Sequence, residues 1–567
     1  MSGDASLHDF QSRVDDFVTK SLSGYKAERH ATEKSIRDAI WGTCLFYRWE
    51  VAILDSPLLQ RLRDVRQTGL AYLVYPTAMH TRFDHTLGVV TVASRIVRSI
   101  NEKHAHKQTD PKINHADHMR IRLSALLHDV GHSCFSHVSE TVYGASDEFR
   151  LLIRQINGTF GVIPKPHEVM SWLIARSAPF KKLVGDLREK DIVSPNDFGP
   201  EGLEDVANNI IGFRKDPGKK FLADIINGPM DADKLDYLAR DAYFAGPAVV
   251  YDLDRFLHTV DAIEYPRDMS LPGEDRKVVR LSVPIQGVTA LEQIIISKLM
   301  LFSYLYHHHK IRCVEGMCHE VLKRQIEISK KTEKGGKKPT LPAMAHPTDF
   351  LSLSDRSVLP DAWPPKAEGD KIAGALISML TRRDLYKRAL VISRLFIPDI
   401  DSKVNVNAKS GFERLLSYGT DSAGRDNLRK QIYDRAITRM KSKPHKEETK
   451  ELCKTFVPQH ILIDVPRSPT VEETVAVMVP ISSDSHGQDQ EYVPLSDIFP
   501  IEKWVDAYNA IKWRGHVFTI EEAVPFVNEA AIQILGAPPY NLAFSAQATE
   551  LCKIGRSTLS ASRLFQG

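Results

Sequence analysis

The chain has 567 residues, of which 43% are hydrophobic and 26% are charged, a composition typical of a globular protein with more than one structural unit. Lys and Arg total 75 and Asp and Glu total 72, so the net charge of +3 indicates no general polyanion-binding surface. The six cysteines include no CxxC pair, which excludes a zinc ribbon and a disulfide framework and favours reduced intracellular thiols.

The amino terminus and the hydropathy of the chain bear on its location. Residues 1–10 include an acidic residue, Asp4, and no apolar stretch of the kind found in secretion signals. We find no run of about 18 apolar residues, so we expect no membrane-spanning helix and no membrane partner. The expected location is cytoplasmic.

The first 330 residues are predicted to be mostly helical. Residues 1–34 are expected to form a short helical extension, and residues 35–330 to form one domain. Apolar residues at helical spacing mark three segments of this domain: Leu58–Val65, Leu87–Val97 and Ile121–Leu127. Asp55-Ser-Pro57 offers a helix cap and a proline suited to a first turn. A long helix is expected between Thr289 and Arg324.

The remainder of the chain is predicted to be a linker and a second lobe. Residues 331–370 are rich in Gly, Pro and Lys and are expected to form a loop. Residues 371–567 are expected to form an α+β lobe that serves oligomer or regulatory contacts. Its predicted helices cover 371–395, 423–441, 500–512 and 520–535, and its predicted strands are His460–Pro466 and Thr474–Pro480, followed by a loop at 482–488. The fold class is therefore mainly α with a smaller C-terminal α+β lobe.

Two histidines and two carboxylates from three distant segments give the strongest chemical signal: His85, His128, Asp129 and Asp233. Imidazole and carboxylate ligands make a metal site that retains open positions for water and a phosphate. The apolar residues before His128 predict a buried helix, which Gly131 allows to end there. A buried charge at such a helix end needs a partner, and a cation supplies one. The alternative for His128 and Asp129 is a hydrogen-bonded pair in the core. For His85 alone the alternative is a structural histidine, and for Asp233 alone it is an exposed carboxylate at a helix start.

The segments that carry these residues resemble the HD-domain phosphohydrolases. Within them the chain is similar to the deoxynucleoside triphosphate triphosphohydrolases, which include bacterial dGTPases and the vertebrate protein that joins a sterile-alpha-motif to an HD domain. No sterile-alpha-motif is expected here. The resemblance covers roughly residues 35–320 and rests on segments 38–42, 55–63, 80–88, 128–137 and 231–241. It implies an all-helical HD domain that binds one divalent metal (Fe, Mn, Zn or Mg) through His85, His128, Asp129 and Asp233.

Two basic residues are candidates for phosphate binding. Arg82 lies three positions before His85 and should face the same side of a helix, where a guanidinium suits a phosphate oxyanion. The alternative is an ordinary surface ion pair. The resemblance implies that Lys234, next to Asp233, is a second phosphate contact.

Asp233, Tyr237 and Asp241 are spaced i, i+4 and i+8, so they form a polar stripe along one face of a helix. The stripe is either a solvated face or a surface that reaches the sugar of a bound nucleotide. The resemblance implies that Tyr237 packs against the ribose, that Asp241 accepts a hydrogen bond from the 3′-hydroxyl, and that Gln67 assists. A tyrosine close to C2′ favours deoxyribose.

Candidates for proton transfer are His132, His137, Glu140 and His167. Histidine changes charge near neutral pH, and a neighbouring carboxylate orients it and holds its charge. The related proteins have Asp where this chain has Glu140, and His167 matches them by its His-Glu context alone. The resemblance places His137 near the scissile phosphate. For each of these residues taken singly, the alternative to a catalytic role is a structural one.

Asp55, Gln60 and Arg63 match positions that bind an activating guanine nucleotide in the vertebrate relative, although Asp55 is equally suited to capping a helix. His307, His308 and His309 are consecutive, so they point in different directions on a helix and predict no separate metal site.

The predicted function is metal-dependent hydrolysis of a deoxynucleoside triphosphate to a deoxynucleoside and triphosphate. Deoxynucleotides are the expected partners, together with an activator nucleotide or DNA, in a homo-oligomer of the kind usual in the family. One alternative is an HD phosphohydrolase that acts on another nucleotide or on DNA ends. Another is a nucleotide-sensing assembly subunit with little turnover, against which the complete His/His/Asp/Asp set argues.

Overall fold

The structure is a computed structural model that describes residues 2–107, 113–194, 196–249, 251–265, 278–334, 344–359, 370–398, 400, 406–442, 447–467, 477–481 and 491–554. The chain divides into two compact units. The first unit consists of Met1–Leu301, Leu322–Gly369 and Val471–Ile501, and the second consists of Phe302–Val321, Asp370–Thr470 and Glu502–Gly567.

Helices dominate both units. In chain order they are α1 (Ser2–Ser21), α2 (Arg48–Leu54), α3 (Pro57–Gln60), α4 (Arg82–Lys107), α5 (His115–Leu127), α6 (His137–Tyr143), α7 (Asp147–Phe160), α8 (Pro166–Arg176), α9 (Ala178–Glu189), α10 (Pro200–Ile210), α11 (Lys220–Asp224), α12 (Ala232–Ala245), α13 (Leu253–Thr259), α14 (Val288–Leu301), α15 (His309–Lys334), α16 (Asp355–Val358), α17 (Lys371–Thr381), α18 (Val406–Ser417), α19 (Ser422–Ser442), α20 (Glu447–Thr455), α21 (Leu495–Ile498), α22 (Ile501–Ile511), α23 (Val524–Gly536) and α24 (Ala546–Ile554). This content confirms the mainly α fold class.

The strands form short antiparallel sheets. In the described part of the first unit they pair as three hairpin-like sheets: β1 (Lys34–Asp38) with β2 (Gly42–Phe46), β3 (Asp261–Tyr265) with β4 (Val278–Ser282), and β7 (Met478–Pro480) with β8 (Tyr492–Pro494). The second unit has a three-stranded sheet of β5 (Lys387–Ile392), β6 (Ile461–Asp464) and β9 (Gly515–Thr519), in which β9 lies in the centre. All five residues of β9 are buried, and β5 packs against α23 and α24.

Three helices of the first unit bring the candidate site residues together. The long helix α4 packs against both α5 and α12. The whole second half of α5 is buried, as its apolar sequence predicts, and α4 contributes a fully buried row that includes Val89, Ala93 and Ile96. Because these helices are packed side by side, residues at their ends are held in a fixed geometry.

Several predicted elements differ in the structure. The helix expected over 371–395 ends at Thr381, a turn with Arg383 at a positive φ of 57° follows, and residues 387–392 form β5, where branched and apolar residues suit a buried strand. Strands β1, β2, β3, β4 and β9 were not predicted, because each is five residues long and lies between helical patterns. The predicted loop at 482–488 and residues 335–343 and 360–369 of the predicted linker lie outside the described residues.

The helix expected over residues 289–324 is interrupted. It consists of α14, a π-helix at Phe302–Tyr306 and then α15. Near residue 57, Ser56 occupies the cap position of α3 with Pro57 in its first turn, whereas Asp55 lies at the end of α2. The predicted segment Leu58–Val65 continues α3 as a 3₁₀ turn at Arg61–Asp64.

One stretch, Ile285–Tyr306, is long and apolar enough to cross a membrane by length and composition, contrary to the expectation of no such stretch. Half of its most apolar window is buried inside the protein. Core helices of globular proteins meet the same criterion, so the stretch is weak evidence for a membrane span.

Candidate metal centre

The four predicted metal ligands lie at three helix ends. His85 is in the first turn of α4, His128 directly follows α5, and Asp233 is in the first turn of α12. The start of α12 is fixed by Asp231, whose carboxylate accepts a hydrogen bond from the Lys234 backbone N–H at 2.7 Å. The packing of α4 against α5 and α12 therefore brings these ends to one point.

The side chains meet at close range. Nε2 of His85 lies 3.3 Å from Nε2 of His128, 3.0 Å from Asp233 Oδ1 and 3.6 Å from Asp129 Oδ2. Nε2 of His128 lies 3.4 Å from Asp129 Oδ1. The ligand atoms of His85, His128 and Asp129 all lie within 4.8 Å of one another, and Asp233 joins them through His85. The structure thus brings the four predicted residues together.

The hydrogen bonds on the far side of each imidazole fix its tautomer. His85 Nδ1 donates to Asp236 Oδ2 at 2.7 Å, and His128 Nδ1 donates to the Ala125 carbonyl at 2.8 Å. Because both Nδ1 atoms carry hydrogen, each ring in its neutral form, the form that binds a metal, presents an Nε2 lone pair to the centre of the cluster, where two carboxylates also lie. A cluster made of acceptors is stabilised by a cation, so this donor set fits a divalent metal.

The electrostatics of the cluster lead to the same conclusion. Burial alone would lower the pKa of His85, but the carboxylates of Asp233 and Asp236 outweigh burial and raise it to about 10. Burial would raise the pKa of Asp233, but His85 outweighs it and holds that pKa below its ordinary value. Without a metal, a proton on His85 supplies the positive charge at this point. A divalent cation bound there would replace that proton.

A second layer of residues, to which no role was predicted, holds His85. Asp236 is fully buried and accepts from His85 Nδ1, from the Trp41 indole N–H, and from Arg240 Nε at 2.8 Å. Arg240 in turn lies 2.9 Å from Asp38 Oδ2. The i, i+4 spacing of Asp236 and Arg240 was a visible signal in the sequence, whereas the contact with Trp41 depends on the tertiary fold.

Removing the charge of Asp236 is expected to weaken metal binding. Asp236→Asn keeps the volume of the side chain but loses the carboxylate that orients His85, and such losses typically weaken metal affinity by about 10- to 100-fold. Competition with a chelator measures that affinity. Asp186→Asn is the matched control, because Asp186 is an exposed carboxylate paired with Lys182 at 2.7 Å. Equal affinities in the two variants would show that Asp236 has no part in holding the metal.

The four predicted proton-transfer residues form a second cluster around Glu140. Its Oε1 lies 3.1 Å from Nδ1 of His132 and 3.1 Å from Nδ1 of His137, and its Oε2 lies 3.1 Å from Nδ1 of His167. The rings of His132 and His167 stack with centroids 4.0 Å apart. His137 is 67% exposed, whereas the other three side chains are buried. The four therefore form one connected group with a single member facing solvent.

The members of this group differ in their tendency to hold a proton. Burial, aided by Arg82, lowers the pKa of His132 to about 4. Burial has the same effect on His167, but the charge of Glu140 outweighs it and raises the pKa of His167. Burial would raise the pKa of Glu140, yet the surrounding imidazoles, led by His167, hold it well below its ordinary value. His132 is therefore neutral near pH 7, whereas the charge of Glu140 favours the protonated form of His167.

Asp129 and Arg82 connect the two clusters. Asp129 Oδ1 lies 3.4 Å from His132 Nε2. Arg82 is buried and donates from Nη1 to Asp129 Oδ2 at 2.7 Å, and its Nη2 lies 3.5 Å from His137 Nε2. The predicted placement of Arg82 and His85 on one side of a helix is observed, since both reach Asp129. The surface ion pair considered as an alternative for Arg82 is excluded by its burial.

The turn between the clusters is held from a distant part of the first unit. Phe135 and Ser136 have positive φ values of 55° and 51°, which are strained for residues other than glycine. The Phe135 backbone N–H donates to Asp355 Oδ1 at 2.7 Å, and Ser133 Oγ donates to the Phe350 carbonyl at 2.6 Å. Ser136 Oγ accepts from Arg82 Nε at 3.1 Å, so the strained turn also supports the guanidinium.

Three of the predicted substrate-binding residues, Lys234, Tyr237 and Asp241, lie on α12, the helix that also carries Asp233. Lys234 Nζ donates to Asp231 Oδ2 at 2.7 Å and to the Gly228 carbonyl at 2.9 Å. Tyr237 is half-buried and Asp241 is buried, so the stripe is not a solvated face. Gln67 is buried, and its side-chain Oε1 has no hydrogen-bond partner among the described residues.

The predicted activator residues make local contacts. Asp55 pairs with Lys34 Nζ at 2.6 Å, the side-chain Oε1 of Gln60 accepts from Arg63 Nε at 2.7 Å, and Arg63 lies over the Phe83 ring at 3.7 Å. In the second unit, His307 Nδ1 lies 3.1 Å from the Tyr508 hydroxyl, and the His308 and His309 rings are 4.6 Å apart. Neither metal-binding group found in the described residues includes these three histidines.

Two regions of the chain match known protein families. Residues 82–193 match the HD domain and residues 274–421 match an HD associated region, which confirms the resemblance predicted from the sequence. The uncharacterised protein MJ1154 of Methanocaldococcus jannaschii is 28% identical over 66% of this chain and 63% of its own length. The deoxynucleoside triphosphate triphosphohydrolase SAMHD1 of Homo sapiens is 26% identical over 63% of this chain and 55% of its own length.

The homologue of SAMHD1 in Dictyostelium discoideum is 24% identical over 63% of this chain and 60% of its own length. The chain therefore spans less than two thirds of the length of these relatives. A phosphohydrolase of known structure from Bacteroides thetaiotaomicron superposes with a TM-score of 0.55 at 17% identity, covering 86% of this chain and all of that chain. At that identity the match shows a shared fold.

Proposed function

We propose that this chain, an HD-domain protein of the phosphohydrolase type, hydrolyses deoxynucleoside triphosphates to a deoxynucleoside and triphosphate with one bound divalent metal ion. The observation that carries the proposal is the juxtaposition of two clusters through Asp129, a cation-binding set on one side and a proton-holding His/Glu group on the other. The relatives named as deoxynucleoside triphosphate triphosphohydrolases support this choice of substrate.

The metal would be held by His85, His128, Asp129 and Asp233. Such an ion supplies a Lewis acid for a phosphate oxygen and makes water a better nucleophile at neutral pH. The chain's own contribution is to orient the ligands, since the Nδ1 atoms of both histidines are held by hydrogen bonds behind the site.

Arg82 and Lys234 are proposed to neutralise the polyphosphate. The Nη2 atom of Arg82 makes its two longest contacts, 3.3 Å to the Gln67 carbonyl and 3.5 Å to His137, on the side away from Asp129. A phosphate oxygen arriving there would form a shorter, charge-assisted bond. Lys234 is held by Asp231 beside the metal ligand Asp233, so its charge is fixed near the same end of the substrate.

Proton transfer is assigned to the group around Glu140. In the reaction, the oxygen of water bonds to the α-phosphorus, the bond from that phosphorus to the 5′-oxygen breaks, and the 5′-oxygen takes a proton. His167 holds a proton through its pairing with Glu140, while the exposed His137 extends from the same carboxylate toward the substrate side. His132, neutral and stacked on His167, completes the group.

The sugar is proposed to lie along Tyr237 and Asp241. Tyr237 would pack against the deoxyribose ring and leave no room for a 2′-hydroxyl, and Asp241 would accept a hydrogen bond from the 3′-hydroxyl with Gln67 beside it. Activation by a guanine nucleotide at Asp55, Gln60 and Arg63, and assembly into a homo-oligomer, belong to the same proposal. Native mass measured with and without GTP tests both.

Product analysis tests the reaction directly. The purified protein is incubated with each deoxynucleoside triphosphate and Mn²⁺ or Mg²⁺, alone and with GTP, and the products are separated. We expect triphosphate and a deoxynucleoside in equal amounts. Pyrophosphate or orthophosphate as the product, or cleavage of DNA alone, would instead identify a different HD phosphohydrolase. Binding without turnover under all these conditions would identify a nucleotide sensor.

A further inference from the structure

His80 lies at the edge of the proposed sugar site and has no role assigned so far. Its side chain is fully buried, and its Nε2 lies 2.8 Å from Asp241 Oδ1. The ring stacks on Phe244 with centroids 4.7 Å apart and planes inclined by 19°. An imidazole held flat against a ring and bonded to a carboxylate has one orientation, so it restricts the carboxylate as well.

The backbone ties His80 to Gln67. The Gln67 N–H donates to the His80 carbonyl at 3.0 Å, and the neighbouring residues Arg66 and Thr81 form a β-bridge. Two buried side-chain atoms at this junction, His80 Nδ1 and Gln67 Oε1, have no hydrogen-bond partner among the described residues. Buried polar atoms without partners are costly, and sites that bind polar ligands are where they persist.

We propose that His80 is a positioning residue that sets selectivity for the sugar 3′-hydroxyl, because it holds Asp241 in the orientation that accepts a hydrogen bond from that group. The inference rests on the proposed function, in which Asp241 contacts the sugar. Without His80 the Asp241 carboxylate loses the 2.8 Å contact that orients its Oδ1 beside the substrate. A nucleotide lacking the 3′-hydroxyl makes no use of this arrangement, so its affinity is independent of His80.

The test compares deoxynucleotides with 2′,3′-dideoxynucleotides. Equilibrium binding of all four pairs is measured under chelation, where turnover is prevented, and kcat and KM are measured with Mn²⁺. We expect His80→Ala to reduce the preference for the 3′-hydroxyl form by about 10-fold, in line with the loss of one hydrogen bond to a charged group. The reduced preference should appear as a higher KM for the 3′-hydroxyl form, and the affinity for the dideoxy forms should be unchanged. His80→Gln, whose amide N–H reaches the position of Nε2, should restore most of the preference.

His104→Ala is the matched control, because His104 is a second buried histidine with its Nε2 2.8 Å from a carboxylate, that of Asp261, away from the site. It should lower the melting temperature as His80→Ala does and leave the 3′-hydroxyl preference intact. Asp241→Ala combined with His80→Ala should lose no more preference than Asp241→Ala alone, since His80 acts through Asp241.

Each result decides one of the two proposals. If the wild type prefers the 3′-hydroxyl form and His80→Ala keeps that preference, the inference about His80 is overturned whether or not turnover occurs. A wild type without any preference also overturns it. If the wild type binds with the preference, loses it in His80→Ala and releases no triphosphate, the role of His80 stands and the proposed reaction is wrong.

Discussion

Replacing Asp129 with alanine is expected to abolish both metal binding and turnover. Asp129 is one of the four proposed ligands: its Oδ1 lies 3.4 Å from His128 Nε2 and its Oδ2 lies 3.6 Å from His85 Nε2, so its loss removes a quarter of the proposed ligand set. Metal affinity should fall by more than the roughly 100-fold that loss of a second-layer residue costs. Metal content after dialysis and triphosphate release measure the two effects.

The stability of the Asp129 variants needs separate measurement. Asp129→Ala leaves the buried guanidinium of Arg82 without its 2.7 Å partner, and breaking a buried ion pair in this way costs about 3–5 kcal/mol. Asp129→Asn keeps the shape of the side chain and is the folded comparison. We expect it to have lost the metal as well. Retention of metal and full activity by Asp129→Asn, confirmed as folded by its melting curve, would contradict the assignment of Asp129 as a ligand.

A single methyl group on Gly88 is expected to destroy the support of His85. A Cβ atom at this position would overlap the Asp236 carboxylate and the Arg240 guanidinium, and would lie 2.6 Å from Asp236 Cγ. Neither group can retreat, because Asp236 holds His85 and Trp41 while Arg240 holds both Asp236 and Asp38. Gly88→Ala should therefore force α4 and α12 apart at the point where Asp236 and Arg240 lie against Gly88.

The expected change in the free energy of unfolding is the balance of one stabilising contribution and two destabilising ones. Alanine is favoured over glycine inside a helix by about 1 kcal/mol. Overpacking a core costs about 1–3 kcal/mol, and disturbing a buried ion pair adds about 3–5 kcal/mol. Gly88→Ala should therefore destabilise the folded protein and cause it to lose the metal. Urea denaturation and metal content measure the result.

Gly158→Ala and Gly185→Ala are matched controls within helices α7 and α9. A Cβ atom at either position meets nothing within 4 Å. Both substitutions should stabilise the protein by roughly 0.5–1 kcal/mol and leave metal binding intact. If Gly88→Ala behaved like these two, the close approach of α4 and α12 at this point would be wrong.

A local pattern predicted the placement of His128 and Asp129 at a buried helix end, whereas His85 and Asp233 were named as ligands through the resemblance to HD-domain phosphohydrolases. The apolar run before His128 predicts a buried helix that ends there, and α5 does end at Leu127. The spacing of Arg82 and His85 predicts that they share a face, and both reach Asp129. Such patterns involve only a few neighbouring residues, so they can be recognised without knowledge of the tertiary fold.

The supporting residues were not predictable to the same degree. Asp236 bonds to Trp41, 195 residues earlier in the chain, and His80 bonds to Asp241, 161 residues later. No local periodicity in the sequence indicates such a long-range pairing. Strand β9 was missed for a related reason: its five residues are buried by partners on both sides, β5 and β6, which come from elsewhere in the chain.

The anchoring of the strained turn at Phe135 by Asp355 has a consequence for biosynthesis. The two residues are separated by 220 positions, whereas the last of the four candidate ligands is Asp233. During translation, a nascent chain that has emerged just past Asp233 already carries all four proposed ligands but lacks the carboxylate that holds the turn next to Arg82. Since contacts between distant residues form late and slowly, the pocket acquires its final geometry after more than half of the polypeptide has left the ribosome.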